Sequence, residues 1–239
     1  MENAIYIGLS RQTALLRQLD VIANNVANAN TTAFKSGQLV FKEYLVDAGD
    51  GSQISYVQDV GITRDLREGT LKPTGNALDL AISGDGYFVL QGRSGPLYTR
   101  NGHFRLDETG RLTAANGKPV LDIDDNEIVV PPGTDAITIS GDGTLSAGAD
   151  SVFVLQLVSF TNPQGLKSIG DGQYSSTEDP EPATDAKVLQ QMLESSNVQP
   201  IIEMTNMIQV QRAYQASSRL TQSDHDLQRR AVDRIGRVT

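Results

Sequence analysis

The chain contains no cysteine, no tryptophan and only two histidines in 239 residues. The absence of cysteine excludes disulfides, thiolate metal sites and cysteine nucleophiles. His103 and His225 fall in a predicted hairpin and on a polar helix face, and no G-x-S-x-G or other nucleophile motif accompanies them. The acidic run Asp122–Glu127 lacks the glycine and glutamate positions of an EF-hand loop. We therefore predict a protein that is not an enzyme and needs no metal or cofactor.

Basic charge and long apolar runs are also scarce. Twenty lysines and arginines are outnumbered by 29 acidic residues, which gives a net charge of −9. No basic run of the kind that binds phosphates is present, so a nucleic-acid partner is disfavoured. No window approaches the roughly eighteen apolar residues of a membrane span, and Met1–Gly8 lacks the regions of a cleaved signal peptide. We expect no direct membrane insertion.

The N-terminal residues have a helical pattern from Asn3 to about Asn28. Apolar residues recur there with gaps of three, four and seven, as in a heptad repeat that Gln12 interrupts. They are Ile5, Leu9, Leu16, Leu19, Ala23 and Val26. Because the stripe is narrow, the helix should be marginally stable alone and should pair with another helix.

The middle of the chain is rich in β signals. Residues 36–75 form a connector that the sequence leaves ambiguous, with a turn signal at Gly49–Ser52 and extended structure indicated from Tyr56 to Asp65. From Leu78 to about Tyr174 the hydrophobic period changes to two, and Gly, Asp, Asn and Pro separate the short runs. This pattern predicts an antiparallel β domain, to which we assign residues 76–185.

The C-terminal residues return to a helical pattern after Pro200. The segment from Ile201 to about Ile235 contains neither proline nor glycine, and it is longer than a usual globular helix. Such a helix favours a coiled coil. The chain order therefore predicts an α+β fold in which the helices of residues 1–35 and 186–239 form a coiled coil and the antiparallel all-β domain is inserted between them.

The run Ala23–Lys35 resembles the A-N-N-x-A-N-x-N-T-x-G-F-K signature of bacterial flagellar axial proteins, the rod and hook family. It departs from that signature at Ala33, where the family usually has glycine, and an alanine there disfavours a backbone with positive φ. Further segments are similar to family motifs in the same chain order. These segments are Gly84–Phe88, Tyr98–Phe104, Asp107–Leu121, Leu193–Val198, Glu203–Ile208 and Gln211–Tyr214.

The resemblance implies a structural subunit of the basal-body rod, in its proximal part, located within the periplasm. It also implies export by the flagellar type III apparatus and assembly with other rod subunits and with copies of itself. A distal rod protein is the alternative within the family, and an acidic secreted binding module on a coiled-coil stalk is the alternative outside it. We assign the assembly interface to apolar and motif residues at both ends. They are Ile5, Leu9, Leu16, Leu19, Ala23, Asn24, Asn25, Val26, Asn28, Asn30, Phe34, Lys35, Met204, Ile208, Ala213, Tyr214, Leu220, Leu227 and Ala231.

Overall fold

The computed structural model describes residues 2–47, 53–134, 137–148 and 151–235. Two long helices flank a succession of short strands, and every strand pair within these ranges is antiparallel. The predicted α+β class with antiparallel sheets is confirmed. The chain divides into two compact units, the first from residues 1–29, 36–65 and 198–239, and the second from residues 30–35 and 66–197.

The first unit contains both long helices and a β-hairpin. Helix α1 spans Glu2–Ala27, and helix α2 spans Pro200–Ile235 with its proline at the first helical position, where a missing N–H costs nothing. Strand β1, Gly37–Asp47, pairs with strand β2, Gln53–Arg64. This hairpin occupies most of the segment that the sequence left as an ambiguous connector. The turn predicted at residues 49–52 lies outside the described residues.

The second unit is built almost wholly of strands. Its largest sheet has the order β13-β14-β6-β5-β12-β15, and a three-stranded sheet has the order β11-β10-β9. The pairs β16-β4, β17-β3 and β7-β8 complete it. The bounds are β3 Leu71–Pro73, β4 Leu80–Ser83, β5 Tyr87–Gly92, β6 Gly95–Thr99, β7 Phe104–Leu106, β8 Leu112–Ala114, β9 Ile137–Ile139, β10 Thr144–Ala147, β11 Ser151–Val154, β12 Leu157–Ser159, β13 Lys167–Gly170, β14 Gln173–Ser175, β15 Glu181–Pro182, β16 Lys187–Gln190 and β17 Met192–Glu194, with a 3-10 helix at Pro163–Gly165.

The second unit has hydrophobic clusters on both faces of its largest sheet, since Phe88 and Leu90 of β5 belong to one cluster and Tyr87 and Val89 belong to the other. Phe88 and Phe104 pack edge to face with ring centroids 5.1 Å apart, and Leu80 and Leu90 are buried in the same cluster. Gly102 permits this packing, because a Cβ at that position would lie 1.8 Å from the carbonyl oxygen of Leu80. In the described part of the chain, neither helix combines the length and apolarity needed to cross a membrane.

Candidate functional site

Helices α1 and α2 pack against each other in opposite directions. Gln12 Nε2 donates a hydrogen bond to Thr221 Oγ1 at 3.1 Å, and Asn25 Nδ2 donates to Glu203 Oε1 at 3.2 Å. Residue numbers therefore rise along α1 as they fall along α2. A Cβ on Gly8 would lie 3.0 Å from Thr221 Oγ1, so the glycine lets the two helices approach closely.

The facing sides of the two helices have a regular spacing of buried or half-buried residues. On α1 these are Gly8, Gln12, Leu15, Leu19, Ile22 and Val26, and on α2 they are Glu203, Met207, Val210, Tyr214, Ser217 and Thr221. Both series alternate gaps of four and three. Gln12, which interrupts the predicted apolar stripe, lies inside this contact. Seven of these twelve residues are apolar or aromatic, and the other five are polar or small.

Other large apolar side chains of both helices are exposed. Leu220 and Leu227, seven residues apart on α2, are 64% and 59% exposed. Leu9 and Leu16 on α1 are also seven apart and exposed. Exposed apolar stripes of this kind mark surfaces that bind a partner. We call the exposed set the outward stripes, and its members are Leu9, Leu16, Met204, Ile208, Leu220 and Leu227.

The other apolar residues assigned to the interface are placed differently. Ala23 is exposed, whereas Leu19, Val26, Ala213 and Tyr214 are half-buried. The side chains of Ile5 and Ala231 lie outside the described residues.

Asn25 ties together three elements of the first unit. Its side chain is buried, and its amide exchanges two 2.9 Å hydrogen bonds with the backbone of Gly37 at the start of β1, in addition to the bond to Glu203. Nearby, Asn28 Nδ2 donates to the carbonyl oxygen of Asn24 at 2.9 Å, which adds a second bond to a carbonyl at the end of α1 that already accepts from the Asn28 N–H. The structure thus places Asn25 inside its unit, where it positions the helix end. Asn24 is exposed.

Residues 30–35 belong to the second unit and form a turn with a left-handed residue. Ala33 has a φ of 57°, contrary to the expectation from its side chain. The conformation is held because the Ala33 N–H donates to the Glu194 carbonyl oxygen at 2.8 Å and the Phe34 N–H donates to the Thr31 carbonyl oxygen at 3.3 Å. Asn30 is exposed and Phe34 is half-buried.

Lys35 belongs to a buried ionic cluster with Glu194 and Arg100. Lys35 Nζ donates to Glu194 Oε1 at 2.6 Å, and Arg100 Nε donates to Glu194 Oε2 at 2.8 Å. The Gly69 N–H adds a third bond to Glu194 Oε1 at 2.9 Å. All three charged side chains are at most 6% exposed. Glu194 is therefore the common partner of two cations in the interior of the second unit.

The other nitrogen atoms of the ionic cluster also have hydrogen-bond partners. Arg100 donates to the carbonyl oxygens of Ile82, Gly84 and Gly86 at 3.0–3.1 Å, and Lys35 Nζ donates to that of Arg67 at 2.8 Å. Complete pairing is what makes a buried charge tolerable.

The pKa values of the ionic cluster reflect its burial. Burial lowers the pKa of Lys35 below its ordinary value, although Glu194 opposes the shift. Burial would raise the pKa of Glu194, but the charges of Arg100 and Lys35 outweigh it and hold that pKa below its ordinary value. At neutral pH Glu194 is therefore a carboxylate that bridges two cations.

Three family models match the chain in succession. They describe a flagella basal body rod protein at residues 5–35, the flagellar hook protein FlgE/F/G D1 domain at 81–147 and the flagellar basal body rod FlgEFG protein C-terminal at 189–234. FlgF of Caulobacter vibrioides is 41% identical over the full length of both chains. The chain belongs to the flagellar basal-body rod protein family.

Other relatives agree with this membership. FlgF of Mesorhizobium japonicum is 33% identical over 99% of both chains, and FlgG of Bacillus subtilis is 33% identical over 95% of this chain and 97% of its own. The resemblance to the rod and hook proteins is thereby confirmed. Because these rod proteins are structural, the predictions of a basal-body structural protein and of no enzymatic activity are also confirmed.

The ionic cluster joins three of the rod-family motifs. Lys35 ends the Asn-rich signature, Arg100 lies in the Y-T-R motif and Glu194 lies in the L-E-x-S-N-V motif. Sequence reasoning placed Lys35 in the assembly interface and gave no role to Arg100 or Glu194. The sequence feature that could have pointed to Arg100 and Glu194 is that both lie in motifs shared with the rod family. The structure places all three in the interior.

Proposed function

We propose that the chain is a structural subunit of the proximal flagellar rod and that its outward stripes pack against helices of neighbouring subunits. The observation that carries the proposal is that both helices expose large apolar residues in addition to those in the contact within the chain. The contact between α1 and α2 leaves these residues exposed, so a further helix can cover them.

The proposal includes a coiled coil as the mode of helix pairing. The gaps of four and three on the facing sides of α1 and α2 are the spacing of a heptad seam. The seven-residue intervals from Leu9 to Leu16 and from Leu220 to Leu227 continue that period on the outside. Further helices could therefore add to the pair with the same geometry.

Apolar burial would drive the assembly. Covering a fully exposed leucine, isoleucine or methionine is worth about 1.5–3 kcal/mol, so the outward stripes supply on the order of 5–10 kcal/mol before ordering costs. Asn25 and the ionic cluster would contribute indirectly, by fixing the residues around the end of α1 and the turn that follows it.

The partners in this account are copies of the chain and other rod subunits, reached after export through the flagellar type III apparatus and assembled in the periplasm. FlgF relatives support a proximal position, since FlgF of Caulobacter vibrioides is 41% identical. A distal position is the second candidate, because FlgG of Bacillus subtilis also matches over 95% of the chain.

The test is a double substitution, Leu220→Asp with Leu227→Asp, in a strain that carries no other copy of the protein. Because both side chains are exposed, the isolated chain should keep its fold by circular dichroism while motility and incorporation into purified basal bodies are lost. Gln91→Asp with Ser94→Asp, which adds the same charge at two exposed positions of the second unit, is the control.

The control variant should assemble normally. Normal motility of the leucine variant would overturn the proposed packing, and equal loss in both variants would show that added charge alone, rather than the leucine stripe, blocks assembly.

A further inference from the structure

An apolar groove lies on the second unit beside strand β15. It has a volume of about 430 Å³ and is lined by Val154, Leu155, Leu157, Pro182 and Ala183, among others. Ile123 borders it and is 64% exposed. A groove of this kind, next to an exposed large apolar side chain, is a surface suited to receive an apolar residue of a partner.

The groove cannot extend its sheet by strand addition. β15 is an edge strand that pairs with β12 through Glu181 and Pro182, and Pro180 and Pro182 have no N–H groups to offer an incoming strand. A partner must therefore bind here through its side chains.

The charged groups of the groove lining and of residues 176–185 are carboxylates. Asp142 lines it, Glu181 lies between the two lining prolines, and residues 176–185 contain four carboxylates and no basic residue. Gln156 Nε2 donates to Asp125 Oδ1 at 3.0 Å, whereas its Oε1 is buried without a hydrogen-bond partner among the described residues. Because a carboxylate can only accept, the amide oxygen must be the atom left over. The groove thus favours a cation close to an apolar side chain.

The opposite edge of the same sheet carries that combination. β13 is the other edge strand, and all four of its residues are exposed. Ile169 is the residue without a partner at a bulge between Ser168 and Gly170, and Lys167 precedes it by two positions. Bulges on edge strands commonly redirect a side chain. Ile169 is the exposed large apolar side chain of this edge, and Lys167 brings three donors and no acceptor.

We propose that the β13 edge of one copy docks on the groove beside β15 of the next copy, with Ile169 in the groove and Lys167 against its carboxylates. Each copy carries both surfaces at opposite ends of one sheet, so the contact is head-to-tail and repeats from subunit to subunit. This inference rests on the proposed function, because it gives neighbouring rod subunits a second contact besides the helices.

Because the chain has no cysteine, the contact can be mapped by disulfide cross-linking in purified basal bodies. The variant carries Ile169→Cys together with Thr184→Cys, an exposed residue of the groove lining. We expect oxidation to give disulfide-linked dimers and higher multiples. Either cysteine alone should give none.

Charge reversal tests the ionic part of the contact. In the double-cysteine chain, Lys167→Glu should lower cross-linking about tenfold through like-charge repulsion. Adding Glu181→Lys should restore it. Lys72→Glu, the same charge change on an exposed residue of β3, should leave cross-linking unchanged.

The outcomes separate this contact from the proposed function. Assembled basal bodies that contain the chain but give no 169–184 disulfide overturn the inference alone, as does cross-linking that is insensitive to Lys167→Glu. Cross-linking to a different rod subunit rather than to a second copy would overturn the choice of partner. Normal assembly of the Leu220→Asp, Leu227→Asp variant overturns the helix proposal, whatever the disulfide result.

Discussion

Replacing Glu194 by glutamine removes one charge from the ionic cluster and leaves its shape nearly unchanged. Lys35 and Arg100 would then lose their buried carboxylate and keep only the 40% exposed Glu68, 3.7 Å from Arg100. A glutamine can accept through only one of its two terminal atoms. Breaking a buried ion pair by removing one partner typically costs about 3–5 kcal/mol. Because domains are stable by about 5–15 kcal/mol, this variant should lose a large share of the stability of the second unit.

The loss can be measured by urea unfolding followed by circular dichroism and by calorimetry. For a unit of this size we expect Tm to fall by roughly 10–20 °C. Glu178→Gln, the same change on an exposed residue, should move Tm by little. In a double-mutant cycle, Lys35→Met with Glu194→Gln should cost less than the sum of the single changes, since both remove the same pair.

The effect should also depend on pH, with a sign fixed by the pKa of Glu194. That pKa is lower in the folded state than the ordinary value of 4.5, so the carboxylate contributes stability that is complete well above pH 4.5. The contribution is lost as pH falls below 4.5 and through the folded-state pKa. The stability gap between wild type and Glu194→Gln should therefore narrow in acid. A loss below about 1 kcal/mol, as for a surface pair, or a gap that does not change with pH would refute the reasoning.

Two further substitutions test backbone geometry in the second unit. Ala33→Val should lower the unfolding free energy of the second unit by about 1–3 kcal/mol, because a β-branched residue is strained at positive φ. Ala33→Gly should change that free energy by less than about 1 kcal/mol. Equal effects of the two substitutions in urea unfolding would contradict this. Gly102→Ala should sharply lower Tm because its Cβ would collide with the Leu80 carbonyl oxygen, and Gly141→Ala, whose nearest neighbour would lie at 3.9 Å, should not.

The helices and the β character of the middle were predictable because they depend on local periodicity. The pattern gave a helix from Asn3 to Asn28, and the structure has Glu2–Ala27. The hairpin of β1 and β2 was harder to predict, because the apolar residues of β1 occur in consecutive groups and fit neither a period of two nor one of 3.6.

The ionic cluster could not be derived from the sequence. Lys35 and Glu194 are 159 positions apart, and charged residues are by default exposed. The motifs marked Lys35, Arg100 and Glu194 as parts of a family pattern, but only the fold brings them together. Ala33 shows the same limit, since its backbone hydrogen bond to Glu194, which only the fold brings near, outweighs the preference of its side chain.

The most direct test of the central claim is maleimide labelling of Leu220→Cys in this cysteine-free chain, compared between the isolated protein and purified basal bodies. Glu108→Cys, at an exposed position of the second unit, reports overall labelling. If the outward stripes pack against neighbouring subunits, residue 220 labels readily in the isolated chain and is strongly protected in basal bodies. Equal labelling in both samples would contradict assembly through these helices.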